Sequence, residues 1–348
     1  MLISCHWLSQ MLECPGPLDP AVVSEALTSL GLEVEGQEVF GAGVSDVIVG
    51  EIRAKDPHPK ADRLTVVKLF DGAAELQVVC GASNLPEVGG KVAFAPVGAI
   101  LPGDFKIGER EIRGVASSGM ICSETELEIG HDGDGILILP ASYKTGAKLC
   151  ELVPQIGDTV LELGVTPNRP DALGHIGVAR DVATKLGYGL KYPKMRPLEV
   201  REPAVPELAD LVTLEASAQD RCGRYIGHAL KGVKVGPSPL WMRVQLHRLG
   251  LRSINNCVDI TNYVLMEQGQ PLHVFDRAKL GEGRVVVRLA GAAEPLTTLD
   301  GAEIKLDAED LVIADAQSPQ ALAGVMGGAD SMVSEATQEI LLEAAYFA

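Results

Sequence analysis

Long apolar runs are missing from this chain of 348 residues: it contains no stretch of 18 consecutive apolar residues that could cross a bilayer. The first dozen residues carry no Lys or Arg and no small-residue cleavage site, which argues against a signal peptide. We therefore expect no membrane segment and a location in the cytoplasm. The length predicts two to three domains, and a composition of 46% hydrophobic and 22% charged residues is typical of folded globular proteins.

Disulfide and metal-ligand patterns are missing as well. The seven cysteines include no C-x-x-C pair, and no Cys/His cluster has the spacing of a zinc site. We expect reduced, mostly buried thiols and no metal bound by this chain.

Several catalytic motifs are also absent. The sequence has no G-x-x-x-x-G-K-[ST], no G-x-G-x-x-G between a strand and a helix, no H-E-x-x-H and no G-x-S-x-G. These absences remove the usual support for ATP binding, for dinucleotide binding and for a serine hydrolase.

Basic residues are scarce. The chain has 30 Lys and Arg against 47 Asp and Glu, and the formal charge of −17 argues against a protein that binds nucleic acid through bulk positive charge. One stretch, residues 221–252, holds seven bases and no acid. It is a candidate surface for a polyanion, or else a solvated helical face.

What the sequence does contain are clear helix and strand patterns. Asp19 and Pro20 begin an i, i+3, i+4, i+7 apolar stripe that ends at Gly31, which predicts a helix. Short β-branched runs separated by turn residues follow, and they predict a small antiparallel barrel, with the OB-fold as the leading option. These runs cover residues 47–52, 64–69, 76–79, 92–94 and 136–139.

The rest of the chain alternates helix and strand patterns. A second helix is predicted to end before Gly187, and residues 188–206, with four prolines, are predicted to be a linker. The last third looks α+β, with helices predicted over residues 238–250 and 258–267 and strands over 285–289 and 311–314.

Three sequence blocks lie in order within the barrel-like segment. They are DPHPKADRL at residues 56–64, VCGASN at 79–84 and IRGVASSGMICS at 112–123. Together they resemble the tRNA-binding OB domain that several synthetases and tRNA-binding cofactors share.

Four later blocks narrow the resemblance. They are TPNRPD at residues 166–171, DITNYV at 259–264, GQPLHVFD at 269–276 and LAGVMGG at 322–328. In collinear order over nearly the whole chain, the blocks resemble the β subunit of bacterial phenylalanyl-tRNA synthetase.

The resemblance implies an α+β multidomain protein. Its domains would be a small α/β domain (B1-like) formed by residues 1–38 and 151–192, an inserted tRNA-binding OB-fold at 39–150, and a B3/B4-like editing domain at 207–348. Because the family's β subunit is normally much longer, we expect an N-terminal fragment in which the editing domain is incomplete.

The resemblance also implies partners. These are tRNA(Phe) and the α subunit, in a family tetramer of two α and two β subunits. Aminoacylation belongs to the α subunit, so ATP and Mg²⁺ are expected for the full enzyme, no cofactor is expected on this chain, and the isolated chain is not expected to aminoacylate.

In this family the β subunit hydrolyses tyrosine that was wrongly attached to tRNA(Phe). Editing is needed because an apolar phenylalanine pocket cannot strongly reject an isostere that only adds a hydroxyl. By resemblance, Glu343 would accept the tyrosine phenol and Gly327 would form a close backbone wall. His273, Thr261 and Asn262 would line the end near the ester and ribose. A carboxylate accepts a phenolic O–H strongly, and a neutral imidazole can position a water.

Candidate tRNA contacts follow from the same resemblance. Arg248 and Arg252 would hold phosphate near the editing site. The candidates on the OB surface are Arg53, His58, Lys60, Arg63, Asn84, Arg113 and Ser118.

Two other functions compete. A free-standing OB-fold nucleic-acid-binding protein without editing activity would not explain the blocks after Thr166. An independent ester hydrolase would need a nucleophile that the sequence does not supply.

Overall fold

A computed structural model describes residues 1–192 and 211–348. The prolines of the predicted linker, at positions 193, 197, 203 and 206, lie outside the described residues. The chain divides into two compact units. The first unit comprises residues 1–169, 178–191 and 239–253, and the second comprises 170–177, 192–238 and 254–348.

The first unit begins with a small layer of helices on strands. Its elements are β1 (Leu2–Ser4), α1 (Cys5–Met11), α2 (Pro20–Ser29), β2 (Glu33–Val39), β13 (Thr159–Gly164) and, from residue 178 onward, α4 (His175–Leu186). β13 is the central strand of an antiparallel sheet ordered β1-β13-β2. The predicted helix start is confirmed, because the Asp19 carboxylate caps α2 by accepting from Ala21 N at 2.9 Å.

An OB-like, nearly closed barrel is inserted between β2 and β13. Its strands are β3 (Ile48–Pro57), β4 (Thr65–Phe70), β5 (Glu75–Cys80), β6 (Lys91–Ala95), β7 (Ile100–Leu101), β8 (Phe105–Lys106), β9 (Glu109–Ile112), β10 (Val115–Ser118), β11 (Met120–Ile121) and β12 (Ile138–Leu139). The main sheet has the order β11-β6-β3-β4-β5, and β12 also pairs with β6. β10 is tied to β5 because Val79 N donates to Ser117 Oγ at 3.0 Å.

Two further helices complete the first unit, α3 (Leu149–Leu152) and α5 (Leu240–Arg248). α5 buries Leu240 and Val244 in the same apolar cluster as Val47, Val49 and other barrel residues. The sequence patterns placed this helix in the C-terminal domain, whereas its contacts group it with the first unit.

The second unit is built on two larger sheets, a two-stranded sheet of β18 and β19, and one long helix. Its elements are β14 (Val212–Leu214), β15 (Cys222–Lys231), α6 (Asn256–Gln268), β16 (Leu272–Asp276), β17 (Val285–Leu289), β18 (Pro295–Thr297), β19 (Glu303–Lys305), β20 (Leu311–Ala314), β21 (Pro319–Leu322), β22 (Met326–Gly327) and β23 (Glu339–Phe347). One sheet has the order β14-β17-β20-β21-β22 and the other β15-β23-β16. Phe275, Leu341, Val287 and Ile313, from both sheets, share one apolar core.

The predicted α+β multidomain class and OB-like barrel are confirmed. The strands predicted at 285–289 and 311–314 match β17 and β20. All seven cysteines are free and five of them are buried, as predicted. The sequence patterns missed β15 and β23, the paired strands that organise the second sheet. No helix within residues 1–192 and 211–348 is long and apolar enough to cross a membrane.

Candidate functional site

A cavity of about 560 Å³ opens within the second unit. Its wall takes residues from both sheets, because β16 and β23 supply one side and β20, β21 and β22 the other. The lining residues used below are His273, Gly327, Glu343 and Tyr346, together with the apolar Ile313 and Ala321. Three of the five predicted pocket residues therefore lie around one cavity.

Strand register brings the two ionisable groups together. β16 pairs antiparallel with β23, and His273 is the direct partner of Glu343 in that ladder. Side chains of directly opposed residues point to the same face of a sheet. The imidazole and the carboxylate, which are 70 positions apart in the sequence, thus share one wall of the cavity.

Gly327 allows the opposite wall to approach the imidazole closely. A Cβ atom at position 327 would lie 2.6 Å from His273 Cε1 and 2.9 Å from Leu299 Cδ1. Any larger residue would push against the ring, so the absence of a side chain here has a packing reason.

Glu343 is an acid in an apolar setting. It is only 8% exposed, and burial raises the pKa of its carboxyl to about 7, although a hydrogen bond from Tyr225 opposes this rise. The phenol of Tyr225 donates to Glu343 Oε2 at 2.7 Å. Near neutral pH the carboxyl group is therefore balanced between its protonated and ionised forms.

His273 is held neutral by its surroundings. Burial lowers the pKa of the imidazole to about 4. Its ring packs edge-on against Phe275, with centroids 4.5 Å apart. Within residues 1–192 and 211–348, neither ring nitrogen has a hydrogen-bond partner. The ring is thus fixed by packing and can act on a molecule in the cavity.

The other two predicted pocket residues lie on α6. Thr261 is buried and its hydroxyl donates to Val258 O at 2.7 Å, while Asn262 is half-buried. Neither is among the residues that line the cavity. The Thr261 hydroxyl therefore serves the helix itself.

In the barrel, two residues predicted to contact tRNA have side chains that are hydrogen-bonded to the backbone. Lys60 N donates to His58 Nδ1 at 3.1 Å, so the opposite nitrogen carries the proton and donates to Ile112 O at 3.1 Å. The Asn84 amide makes two hydrogen bonds of 2.9 Å with the backbone N and O of Ile136. The polar atoms of both side chains are therefore hydrogen-bonded to backbone groups.

Two exposed bases of the barrel, Lys60 and Arg113, lie together at the turn between β9 and β10. Arg113 and Gly114 form the two-residue turn between β9 and β10, and both have positive φ, as in a type I′ turn. A Cβ built on Gly114 would lie 2.9 Å from Lys60 Nζ, so this ammonium sits over the same turn. His58 fastens its loop to that turn, and Arg63 is exposed.

Two other predicted contacts of the barrel differ in setting. Arg53 is exposed but pairs with Glu51 at 3.1 Å and lies over the Phe70 ring. Ser118 is half-buried at the end of β10.

Arg248 is an internal residue of the first unit. It is 2% exposed, donates to Glu128 O at 2.6 Å and Ile156 O at 2.9 Å, and stacks over Phe40. Burial lowers the pKa of its guanidinium to about 10. These donors serve the fold, and the phosphate contact of Arg248 stays a prediction from the resemblance. Arg252, in contrast, is exposed.

The seven bases of residues 221–252 are divided between the two units. Arg221, Arg224, Lys231 and Lys234 belong to the second unit, and the remaining three belong to the first. Lys231 pairs with Glu339, and Arg243 forms an ion pair with Glu124. The continuous basic stretch in the sequence is therefore divided by the fold.

Sequence reasoning missed Tyr225, whose phenol donates a hydrogen bond to Glu343. A signal existed in principle, since Tyr225 and Gly227 are two residues apart and share one face of β15. That signal becomes visible only once the strand has been assigned.

The two units carry recognisable domain types. Residues 47–148 match the family described as "Putative tRNA binding domain", and residues 221–348 match the "B3/4 domain". The chain therefore combines a tRNA-binding type of domain with a B3/4 domain.

Whole-chain comparisons identify the family. The chain is 44% identical over 347 residues to the phenylalanine–tRNA ligase beta subunit of Geobacter metallireducens, and 45% identical over 349 residues to that of Anaeromyxobacter dehalogenans. Each match covers 100% of this chain and 42% of the relative. The chain belongs to the phenylalanine–tRNA ligase beta subunit family, and it spans about two fifths of the length of these relatives.

Solved structures match the chain as well, and one of them belongs to the same family by its title. It is an N-terminal fragment of the phenylalanyl-tRNA synthetase beta-subunit from Pyrococcus horikoshii, with a TM-score of 0.32 and 15% identity. The match covers 56% of this chain and 61% of that one, and it is too loose to carry an argument.

Proposed function

We propose that this chain binds tRNA(Phe) and hydrolyses tyrosine wrongly attached to it, as the editing part of a phenylalanine–tRNA ligase. The observation that carries the proposal is the buried Glu343 carboxylate, which faces His273 across one strand ladder in a cavity closed by the Gly327 backbone. Editing would occupy the second unit, and the barrel of the first unit would contact the tRNA.

Glu343 would select the substrate by its hydroxyl group. The apolar lining, including Ile313 and Ala321, suits an aromatic ring of either amino acid. Only tyrosine can donate a hydrogen bond to Glu343 at the end of that ring. With phenylalanine bound, the buried carboxylate would lose water without gaining a partner, and this penalty disfavours the correct product as a substrate.

His273 would act at the ester. A neutral imidazole can hold a water and accept its proton as the water adds to the ester carbonyl. The bond to the ribose oxygen then breaks, tyrosine leaves as the free acid, and the ribose oxygen takes up the proton. Because burial keeps the imidazole pKa at about 4, His273 is in the required neutral form throughout the physiological range.

A role in editing has less support for Thr261 and Asn262 than for His273 and Glu343. Their placement at the ester and ribose end stays a prediction from the resemblance, since the cavity lining does not include them.

The proposal extends to the assembly. We propose that the chain works with an α subunit that carries synthesis and uses ATP and Mg²⁺, in a tetramer of two α and two β subunits. The cytoplasm, where tRNA is charged, is the proposed location. The three-domain division at residues 1–38 with 151–192, 39–150 and 207–348 is part of the same proposal.

The test separates the two roles. In the assembled ligase, Glu343→Ala should reduce the preference for tyrosyl- over phenylalanyl-tRNA(Phe) by about tenfold or more, since a hydrogen bond to a charged group contributes about 1.5–3 kcal/mol. His273→Ala should slow hydrolysis of both esters by roughly 10²-fold, the usual contribution of a general base. Deacylation rates of the two preformed aminoacyl-tRNAs measure both effects.

Matched controls are available in the same unit. Glu335→Ala removes an exposed carboxylate ahead of β23, and His228→Ala removes an exposed imidazole from β15. Both should behave as wild type, and aminoacylation with phenylalanine should survive all four changes. Wild-type rates and wild-type selectivity in Glu343→Ala and His273→Ala would remove this cavity from the reaction.

A further inference from the structure

Glu343 already accepts a phenol from the chain itself. Tyr225 on β15 donates to its Oε2 at 2.7 Å. The register explains how the ring reaches the carboxylate: Glu343 is paired with Gly227, while Tyr225 is paired with Ala345 two positions along the same face. The Tyr225 side chain spans this two-residue step along the face to reach Glu343, while Val212 fills the space beside Gly227, with its Cγ2 2.8 Å from a Cβ built there.

The contact leaves one carboxylate oxygen for a ligand. Within residues 1–192 and 211–348, Glu343 Oε1 accepts no hydrogen bond, and the residue lines the cavity. A carboxylate offers about four lone-pair sites on two oxygens, so one phenol does not saturate it. The arrangement therefore provides an acceptor whose orientation is fixed on one side and open on the other.

We propose that Tyr225 is a positioning residue for the editing reaction, which holds Oε2 of Glu343 so that Oε1 is presented to the phenol of the tyrosyl group. Two phenols, one from the chain and one from the substrate, then share a single carboxylate. This inference rests on the proposed function and adds the residue that sets its selectivity.

The charge state of Glu343 supports the same role. Burial raises its carboxyl pKa to about 7, and the Tyr225 hydrogen bond is the influence that lowers it. The other titratable groups nearby include Cys222 on β15, a thiol whose pKa is raised, and His273 on β16, which is neutral above pH about 4. The phenol of Tyr346 on β23 also lines the cavity. From the opposite sheet, the residues facing the cavity are apolar, among them Ile313 and Ala321.

The preference for the tyrosyl ester is expected to depend on pH. The ionised carboxylate is the stronger acceptor, so in wild type the preference for the tyrosyl ester should rise as pH rises through about 7. Tyr225→Phe removes the hydrogen bond that favours the ionised form. Its selectivity should therefore rise at a pH that is higher by roughly one unit, and it should lie about fivefold below wild type near pH 7, because the ionised fraction of the carboxyl falls by that factor.

The experiment measures the ratio of tyrosyl- to phenylalanyl-tRNA(Phe) deacylation rates by the assembled ligase on both sides of pH 7. Tyr225→Phe is compared with Tyr192→Phe, which makes the same change at an exposed tyrosine of the second unit. A displaced profile in Tyr225→Phe alone supports the proposal. A wild-type midpoint and ratio in Tyr225→Phe overturns it, because a purely structural tyrosine would not move the pH profile.

Glu343→Gln separates this inference from the proposed function. If Glu343→Gln retains wild-type selectivity, the carboxylate does not read the hydroxyl and the proposed function itself fails. If Glu343→Gln loses selectivity while Tyr225→Phe keeps the wild-type profile, only the role of Tyr225 fails.

A second measurement does not depend on the folding of Tyr225→Phe. 3-Fluorotyrosine is incorporated at position 225 of the otherwise unchanged chain, and its ¹⁹F resonance is followed while free L-tyrosine is added. A resonance that keeps its hydrogen-bonded position while tyrosine binds supports the shared carboxylate. A shift to that of a phenol released from Glu343 means that the substrate displaces Tyr225, which overturns the proposal.

Discussion

In the barrel, the polar side-chain atoms of His58 and Asn84 are hydrogen-bonded to backbone groups, whereas His273 and Glu343 of the second unit line a cavity. Within residues 1–192 and 211–348, neither ring nitrogen of His273 and only one carboxylate oxygen of Glu343 has a hydrogen-bond partner. His58, Asn84 and His273 stand in blocks that carry the family resemblance, and Glu343 follows the last of these blocks in the sequence. The difference is one of partners. A polar residue in a motif maintains the fold when backbone groups satisfy it, and it is a candidate for chemistry when its atoms face a cavity unused.

The largest effect that would sharpen this comparison is expected at Arg248. Arg248→Ala leaves Glu128 O and Ile156 O without their buried donor and removes the stacking on Phe40. We expect the first unit to lose about 3 kcal/mol of unfolding free energy, since each unsatisfied buried group costs about 1–3 kcal/mol. Both tryptophans of the chain, Trp7 and Trp241, belong to the first unit, so tryptophan fluorescence during denaturation reports on it.

Arg252→Ala is the matched control. It removes an exposed base four residues away, and its effect on unfolding should stay within roughly 0.5 kcal/mol. An Arg248→Ala protein with wild-type stability and weakened tRNA binding would restore Arg248 to the phosphate contacts that the sequence predicted.

A smaller change is expected to break the cavity without removing a polar atom. In Gly327→Ala the new Cβ would lie 2.6 Å from His273 Cε1, whereas ordinary contacts begin near 3.4 Å. The ring must move by about 1 Å, and a misplacement of that size can cost roughly 10²-fold in rate. Deacylation of both aminoacyl-tRNAs should fall together.

Gly236→Ala controls for this substitution, because no atom lies within 4 Å of a Cβ at position 236. If Gly327→Ala deacylates both esters at the wild-type rate, the position of the His273 ring does not matter for hydrolysis. The chemical role assigned to this imidazole would then be wrong.

Sequence patterns predicted the elements that depend on local chemistry. The cap at Asp19, the β-branched runs of the barrel and strands such as β17 all follow from neighbouring residues. The resemblance supplied His273, Gly327 and Glu343. The contact between Tyr225 and Glu343 joins residues 118 positions apart, and it depends on the pairing of β15 with β23, which no local pattern indicates.

Arg248 shows a second limit of the sequence. A run of bases without acids indicates positive charge, but it does not tell which side chains another element covers. α5 packs against the barrel cluster through Leu240 and Val244, and this packing buries the one base at its end. The charge pattern indicated exposed bases throughout this stretch, whereas the fold buries Arg248.

The smallest effects are expected for the exposed bases at the turn between β9 and β10. Lys60 lies over this turn, Arg113 is in it, and each should contribute at most one phosphate contact because the surrounding chain is acidic overall. Removing one phosphate contact lowers the slope of log affinity against log salt by about 1. Lys60→Ala and Arg113→Ala should each have that effect on tRNA binding, with little change in stability.

Lys68→Ala, at an exposed lysine that pairs with Glu75 at 3.8 Å, is the matched control on the same barrel and should leave the slope unchanged. Glu343→Ala should also leave the salt slope unchanged, since Glu343 is proposed to contact the amino acid and not a phosphate. If the slope is indifferent to Lys60 and Arg113 but falls in Arg53→Ala, the tRNA contacts a different face of the barrel from the one at this turn.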